Sequence, residues 1–376
     1  MKIRSNRPRW GERRKSRLLV RGLHMDWPLL VGLILLSAVG LAILYSASGL
    51  DSELVLRQLF RLGIAFGIMF ILAQIPSHHL VLWAPWIYGL GILLLIAVLL
   101  FGDEGKGAQR WLDLGIFRFQ PSEIMKLSVP IMLAWYLAEN PLPPTRKYLA
   151  YALLLVIVPT GLIAKEPDLG TALLIAASGI FVLLFSGISW KYVIGFLLLV
   201  SACTPLLWYK LHDYQRTRVL TFLNPENDPL GSGYHIIQSK IAIGSGGVYG
   251  KGWLNGSQAH LEFLPERTTD FIFAVISEEF GFIGIIVLLM LYLFIIVRCL
   301  YISTQAQDTF ARLLSGSITL TFFVYMFVNI CMVSGLLPVV GLPLPLISYG
   351  GTSMVTLMAS FGILMSIHTH RRLLST

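Results

Sequence analysis

Charge is what this sequence has least of. Only 13% of its 376 residues are Asp, Glu, Lys or Arg, while 56% are hydrophobic; a soluble protein carries roughly 25% charged residues. A globule of this length needs a polar skin, and these residues are too few to make one. A soluble fold is excluded, and lipid is the solvent the composition fits. Cysteine is scarce too. Cys203, Cys299 and Cys331 are the only three. All fall inside or at the edge of apolar runs, so no disulfide framework follows, and they read as small membrane-facing or core residues. There is no convincing internal repeat, which weighs against many secondary-transporter folds.

What charge there is lies unevenly. Residues 1–25 hold nine Lys or Arg (Lys2, Arg4, Arg7, Arg9, Arg13, Arg14, Lys15, Arg17, Arg21) against one acid, Glu12. No folded nucleic-acid-binding unit accompanies them. Beside a membrane segment they read as a cytoplasmic tail touching anionic headgroups. The stretch is too long and polar for a signal peptide.

Ten apolar segments follow, at 27–49, 54–75, 80–101, 121–137, 148–164, 171–187, 192–209, 271–299, 313–336 and 346–367. About 20 residues cross a bilayer core as a helix, so the expectation is an all-α polytopic membrane protein with about ten transmembrane helices. The domain reading is a basic tail, 1–25, and a membrane domain, 26–376. With the amino terminus inside, Arg146, Lys147, Lys191, Arg298, Arg312, Arg371 and Arg372 fall on inner connections, as the positive-inside rule expects. Both termini are then cytoplasmic. One large outer (periplasmic) loop, 212–269, lies between helices 7 and 8; its apolar-periodic stretch 234–243 reads as part helix, part re-entrant.

Ionisable groups within lipid cost about 2.5–3.5 kcal/mol each on insertion scales, so each needs a reason. Glu123 and Lys126 lie one helical turn apart behind Pro121, which suits a first helical position; they are a structural ion pair or a site. Arg57 and Arg61 share a face, and the deeper Arg61 calls for a carboxylate, with Asp168 the candidate. Asp270 ends the large loop where apolar sequence resumes. It reads either as a helix N-cap or as a carboxylate offered at the outer surface. Glu278 and Glu279 make a buried carboxylate site or an interhelical contact. Lys106, Arg110 and Arg118 sit in a short outer loop where orientation rules disfavour bases; such cations suit a diphosphate. The glycines around Ser245 make no P-loop. These residues describe an outward-facing polar site, without choosing between moving a lipid-linked anion and reacting it.

Several stretches together resemble the SEDS family (shape, elongation, division and sporulation proteins): 106–112 (KGAQRWL), 119–126 (FQPSEIMK), 167–171 (PDLGT), 228–250, 263–273 (FLPERTTDFIF) and 329–353, which ends in SYGGTS. The likeness covers nearly all the chain after residue 25 and is closest to the elongation branch. The basic tail is not part of the pattern. The resemblance implies a ten-helix fold and a peptidoglycan glycosyltransferase acting on lipid II during cell elongation in the bacterial inner membrane. It implies Asp270 as the catalytic residue; Glu123, Lys126, Arg110, Trp111, Lys106 and Ser348 as substrate-binding; and Arg61, Asp168 and Glu266 as a supporting polar network. The implied partners are a class B penicillin-binding protein transpeptidase and other elongation-complex membrane proteins, with no nucleic acid.

The implied reaction is a single inverting displacement. A sugar hydroxyl attacks an anomeric carbon, a carboxylate takes its proton, and cations, or a divalent metal such as Mg or Mn, offset charge growing on the departing diphosphate. A helix N-terminus would lower the pKa of Asp270 and weaken it as a base, so orienting the hydroxyl and accepting its proton late is the expected role. A lipid II flippase would use the same intramembrane charges without an outer base. A scaffold for the penicillin-binding protein would need none of the polar site residues.

Overall fold

The computed structural model describes residues 24–105, 108–113, 118–210, 213–227, 231–257, 264 and 266–370. The basic tail therefore lies outside the described residues, apart from its last two positions. Helices form in all ten expected segments: α1 (Trp27–Ala47), α2 (Ser52–Gln74), α3 (Ser77–Phe101), α4 (Pro121–Ala138), α5 (Arg146–Lys165), α6 (Leu169–Phe185), α7 (Trp190–Lys210), α10 (Ile272–Thr304), α11 (Thr309–Val333) and α12 (Thr352–Thr369). The large loop adds α8 (Asp213–Leu223) and α9 (Ser232–Gly246). Among the described residues seven helices, α1, α2, α3, α5, α10, α11 and α12, are long and apolar enough to cross a bilayer, and α6 is apolar over 17 residues. The protein is an all-α polytopic membrane protein, because lipid offers backbone amides no partner except their own helix. Phe60, Ile71, Trp86, Leu100 and Val287 stand exposed on the flanks, where a bilayer covers them.

Local chemistry sets where several helices start. Asp26 accepts from Leu29 N at 3.0 Å and opens α1. Asp51 accepts from the amides of Glu53 and Leu54 at 2.9 and 3.1 Å and opens α2. Pro121 starts α4, where no amide donor is required. At one end of the bundle, the α1 start meets the ends of α10 and α12 through Asp26, which pairs with Arg298 at 2.6 Å and approaches His368 at 3.4 Å. The opposite end, here the loop end, carries α8, α9 and the described candidate site residues.

Three departures from regular helix shape the loop end. Three short strands, β1 (Asp103–Gly105), β2 (Ala108–Asp113) and β3 (Arg118–Phe119), pair as a small antiparallel meander. The second departure is in α10, whose 33 residues would run roughly 50 Å at 1.5 Å each, well beyond a bilayer core of roughly 30 Å. It breaks at Gly281, where φ is +63°. There Phe282 N and Ile283 N donate sideways to Gly247 O and Val248 O at 2.9 and 3.1 Å. A Cβ on Gly281 would strike the backbone of Gly250.

The third departure corrects the last expected segment. α12 starts at Thr352, and residues 334–351 run as irregular backbone through the interior, with Leu342, Leu344, Leu346, Ile347 and Ser348 buried. Apolar composition alone made 346–351 look helical. Buried irregular backbone needs partners from elsewhere, and they are present: Tyr292 Oη donates to Pro345 O at 2.6 Å and Gln58 Nε2 to Ser348 O at 3.3 Å. α1 passes so close to this segment that a Cβ on Gly40 would lie 2.6 Å from Leu346 O.

Candidate active site at the loop end

The first turn of α4 buries an ion pair. Lys126 Nζ lies 2.7 Å from Glu123 Oε1 and donates to Tyr325 Oη of α11 at 2.6 Å. Both members of the pair are less than a tenth exposed, and Glu123 Oε2 has no hydrogen-bond partner. Isolated charges in such surroundings are strongly disfavoured, so each side chain needs the other beside it. A small cavity of about 30 Å³ opens beside them, lined by Lys126, Ser178, Thr321, Tyr325, Ser353 and Ser360. It has room for one or two waters, and the Thr321 hydroxyl is without a partner there.

The meander lies over the turn between α5 and α6, with Arg110 as the fastener. Its Nη2 donates to Pro167 O, its Nε to Glu166 O at 3.5 Å, and Nε stands 4.0 Å from Asp168 Oδ2. Asp168 caps α6 by accepting from Thr171 N at 3.2 Å, and its other oxygen accepts from Gln120 Nε2 at 3.2 Å. Between them Glu166 is 1% exposed with neither carboxyl oxygen hydrogen-bonded. Burial and then the Asp168 charge push its pKa up to about 8, although Arg110 pulls the other way, so it is protonated at neutral pH. Trp111 is half-buried on the same strand. Lys106 lies outside the described residues.

The sequence-based pairing of Arg61 with Asp168 is corrected. The Arg61 guanidinium stacks over the Tyr349 ring, 4.5 Å from its centroid, and would lie 3.7 Å from a Cβ on Gly351. An aromatic face serves a cation within low dielectric, while Asp168 is taken by Gln120, Arg110 and its own helix.

Asp270 is not the cap of α10. The helix starts at Ile272, with Phe271 in the N-cap position. The loop carrying Asp270 is instead held from the side, at three consecutive carbonyls. Thr268 O accepts from Tyr349 N at 2.8 Å, Thr269 O from Ser348 Oγ at 2.6 Å, and Asp270 O from Asn329 Nδ2 at 3.0 Å. Ser348 Oγ also accepts from Leu344 N at 2.7 Å. Its hydroxyl thus works within the protein, where substrate contact was the sequence-based expectation. Glu266, at φ +56°, shapes the preceding turn and accepts from Thr269 Oγ1 at 2.8 Å. Gly341 crosses the Asp270 carboxylate: a Cβ there would sit 3.6 Å from Oδ2, and its φ of +80° suits glycine. His235 of α9 stacks on Phe271, centroids 5.7 Å apart.

Segment 334–351 is the shared floor. Gly170, behind Asp168, packs on Val340; Gly341 meets Asp270; Tyr349 and Gly351 meet Arg61. Leu342 packs with Tyr325, the partner of Lys126. Asp270, Asp168, Arg61 and the Glu123–Lys126 pair are therefore neighbours around one element. Glu278 and Glu279 belong elsewhere. Glu278 pairs with Lys251 at 2.6 Å and Glu279 accepts from Ser46, bracing the α10 break. Sequence reading missed Tyr325 and Asn329. The available signal was a polar stripe at four-residue spacing along an apolar helix, Ser317, Thr321, Tyr325 and Asn329.

The model of the FtsW, RodA and SpoVE cell cycle proteins matches residues 25–373. The chain belongs to this family, the SEDS proteins. The chain is 54% identical over 354 residues, 94% of its length and 96% of the relative's, to the peptidoglycan glycosyltransferase MrdB of Escherichia coli K12. It superposes with a TM-score of 0.81, at 34% identity, on a chain from a peptidoglycan synthase complex that coordinates polymerization and crosslinking, covering 93% of this chain and 99% of that one. The crystal structure of the Thermus thermophilus rod shape determining protein RodA gives 0.69 at 29% identity, covering 92% and 96%. In this SEDS chain the matched region takes in every described site residue. Among the described residues no three His, Cys, Asp or Glu side chains group so as to hold a metal ion.

Proposed function

We propose that this protein is a peptidoglycan glycosyltransferase that polymerises lipid II into glycan strands for cell elongation, with the loop end facing the periplasm and both termini in the cytoplasm. The observation that carries it is Asp270: a carboxylate-bearing loop held at three successive carbonyls, at the end of the membrane bundle where a lipid-linked sugar arrives. Likeness to a named peptidoglycan glycosyltransferase at 54% identity supports the reaction class.

In the proposed reaction a sugar hydroxyl of one chain attacks the anomeric carbon of another. The new C–O bond forms as the bond to the diphosphate oxygen breaks, with inversion. Asp270 orients the hydroxyl and takes its proton, and the undecaprenyl diphosphate leaves as an anion. Lys126 supplies a positive charge near the leaving group, and Glu123 holds that lysine in place. Arg110 fastens the meander that closes one side of the site, and Trp111 on the same strand is the proposed substrate contact there. A class B penicillin-binding protein is the proposed partner; the likeness to a chain of a polymerizing and crosslinking complex supports it.

The deciding experiment is the purified protein with labelled lipid II, no other polymerase present. Polymer from the wild type and none from Asp270→Asn is expected. Lipid II translocation in liposomes without polymer would favour a flippase instead.

A further inference from the structure

Asn329 is an amide near the C-terminal end of the apolar helix α11, fully buried, and its Oδ1 has no hydrogen-bond partner. An apolar residue would fill the same space without that penalty. What the asparagine provides is a nitrogen with two hydrogens. Nδ2 donates to Asp270 O at 3.0 Å and to Leu342 O at 2.7 Å. These two acceptors belong to different strands of the site, one following Thr269 and the other following Gly341. Gly341 is the residue that passes the Asp270 carboxylate. One side chain thus sets the spacing between the Asp270 backbone and the segment its carboxylate faces.

The other two holds on this loop cannot replace it. Tyr349 N and Ser348 Oγ grip Thr268 and Thr269, whereas Asn329 grips the carbonyl of Asp270 itself. Phe271 N donates to Glu266 O at 3.3 Å on the other side of the same peptide, so what the loss of Asn329 releases is the tie between this peptide and Leu342, beside Gly341.

We propose that Asn329 is a positioning residue for Asp270, holding the carboxylate at the distance from Gly341 that the attacking hydroxyl occupies. The inference rests on the reading of Asp270 as the proton acceptor. Displacing a reacting group by about 1 Å costs on the order of a hundredfold in rate, so a residue that never touches substrate controls kcat.

The test uses the full-length protein and lipid II with three variants: Asn329→Leu, which removes both donors at similar volume; Asn329→Ser, whose short hydroxyl bonds back to its own helix; and Asp270→Ala. Loss of kcat by tenfold or more is expected in both Asn329 variants, with KM for lipid II changed less than twofold and melting close to wild type. Asp270→Ala is the reference for a lost proton acceptor, with no polymer and lipid II binding within twofold of wild type, and the Asn329 variants should bind lipid II equally well. Wild-type kcat in either folded Asn329 variant overturns the inference. So does a loss of lipid II binding in the Asn329 variants that Asp270→Ala does not show, which marks a merely structural residue. If Asn329→Leu fails to fold, Asn329→Ser carries the same two measurements. An active Asp270→Asn protein would defeat the proton-acceptor reading itself, a result separate from any Asn329 outcome.

Discussion

Lys126 reaches across from α4 to donate to the Tyr325 hydroxyl of α11 at 2.6 Å. This bond joins the ion pair to the helix whose next turn carries Asn329. It also changes what a charge swap can reveal. With Glu123→Lys and Lys126→Glu together, attraction is kept and the tyrosine hydroxyl can turn to donate to the new carboxylate. Folding should therefore recover in the swap. Polymerisation should not, because an anion would then face the diphosphate. A double-mutant cycle on melting and on polymer formation measures both, and near wild-type polymerisation by the swap would make the pair purely structural. Tyr325→Phe alone should cost about 1.5–3 kcal/mol, since it removes a hydrogen bond to a buried charge.

Asp270→Asn should abolish polymerisation with melting unchanged. Asparagine is as good a cap as aspartate, and Asp270 is outside the cap position in any case. Gly341→Ala should also lower activity, by filling the space beside Oδ2 and by straining a left-handed backbone at a cost of about 1–2 kcal/mol. Full activity in Gly341→Ala would show that nothing reacts on that side of the carboxylate.

Arg110→Ala should release the meander from the Glu166 and Pro167 carbonyls, reducing polymerisation tenfold or more, while Arg4→Ala in the basic tail leaves it intact. Arg110→Lys should rescue little, since a single ammonium cannot reproduce the guanidinium fork. Equal activity in the Ala variants of both positions would remove Arg110 from the site.

Glu166 predicts a pH dependence of stability. Its folded-state pKa, about 8, lies above the ordinary carboxylate value of 4.5. The folded protein therefore binds the extra proton between those values. Stability is full below pH 4.5, falls as pH rises toward 8, and then levels. Glu166→Gln should flatten that slope, melting like wild type at pH 5 and higher than wild type at pH 8.5. Parallel melting curves across that range would contradict the protonated form.

Apolar run length determined the helices, because within lipid a chain can satisfy its amides only locally. The approximate positions of all ten follow from it, apart from the late start of α12. The proline start of α4 was legible as well, a decision made within a few residues; the capping aspartates at 26 and 51 are equally local but were not singled out. The Glu123–Lys126 pair was legible for the same reason: one turn of one helix brings the two together. The sequence alone also named Asp270 and Asp168 as residues to examine. Tertiary structure decided the rest. Arg61 met Tyr349 rather than Asp168, Ser348 turned inward to Thr269, and 334–351 stayed irregular beneath an apolar composition. Each of these outcomes depends on groups far apart in sequence, such as Gln58 with Ser348 and Asn329 with Asp270. Local periodicity carries no information about which distant carbonyl a buried amide will meet; only the packing of α2, α10, α11 and α12 sets that.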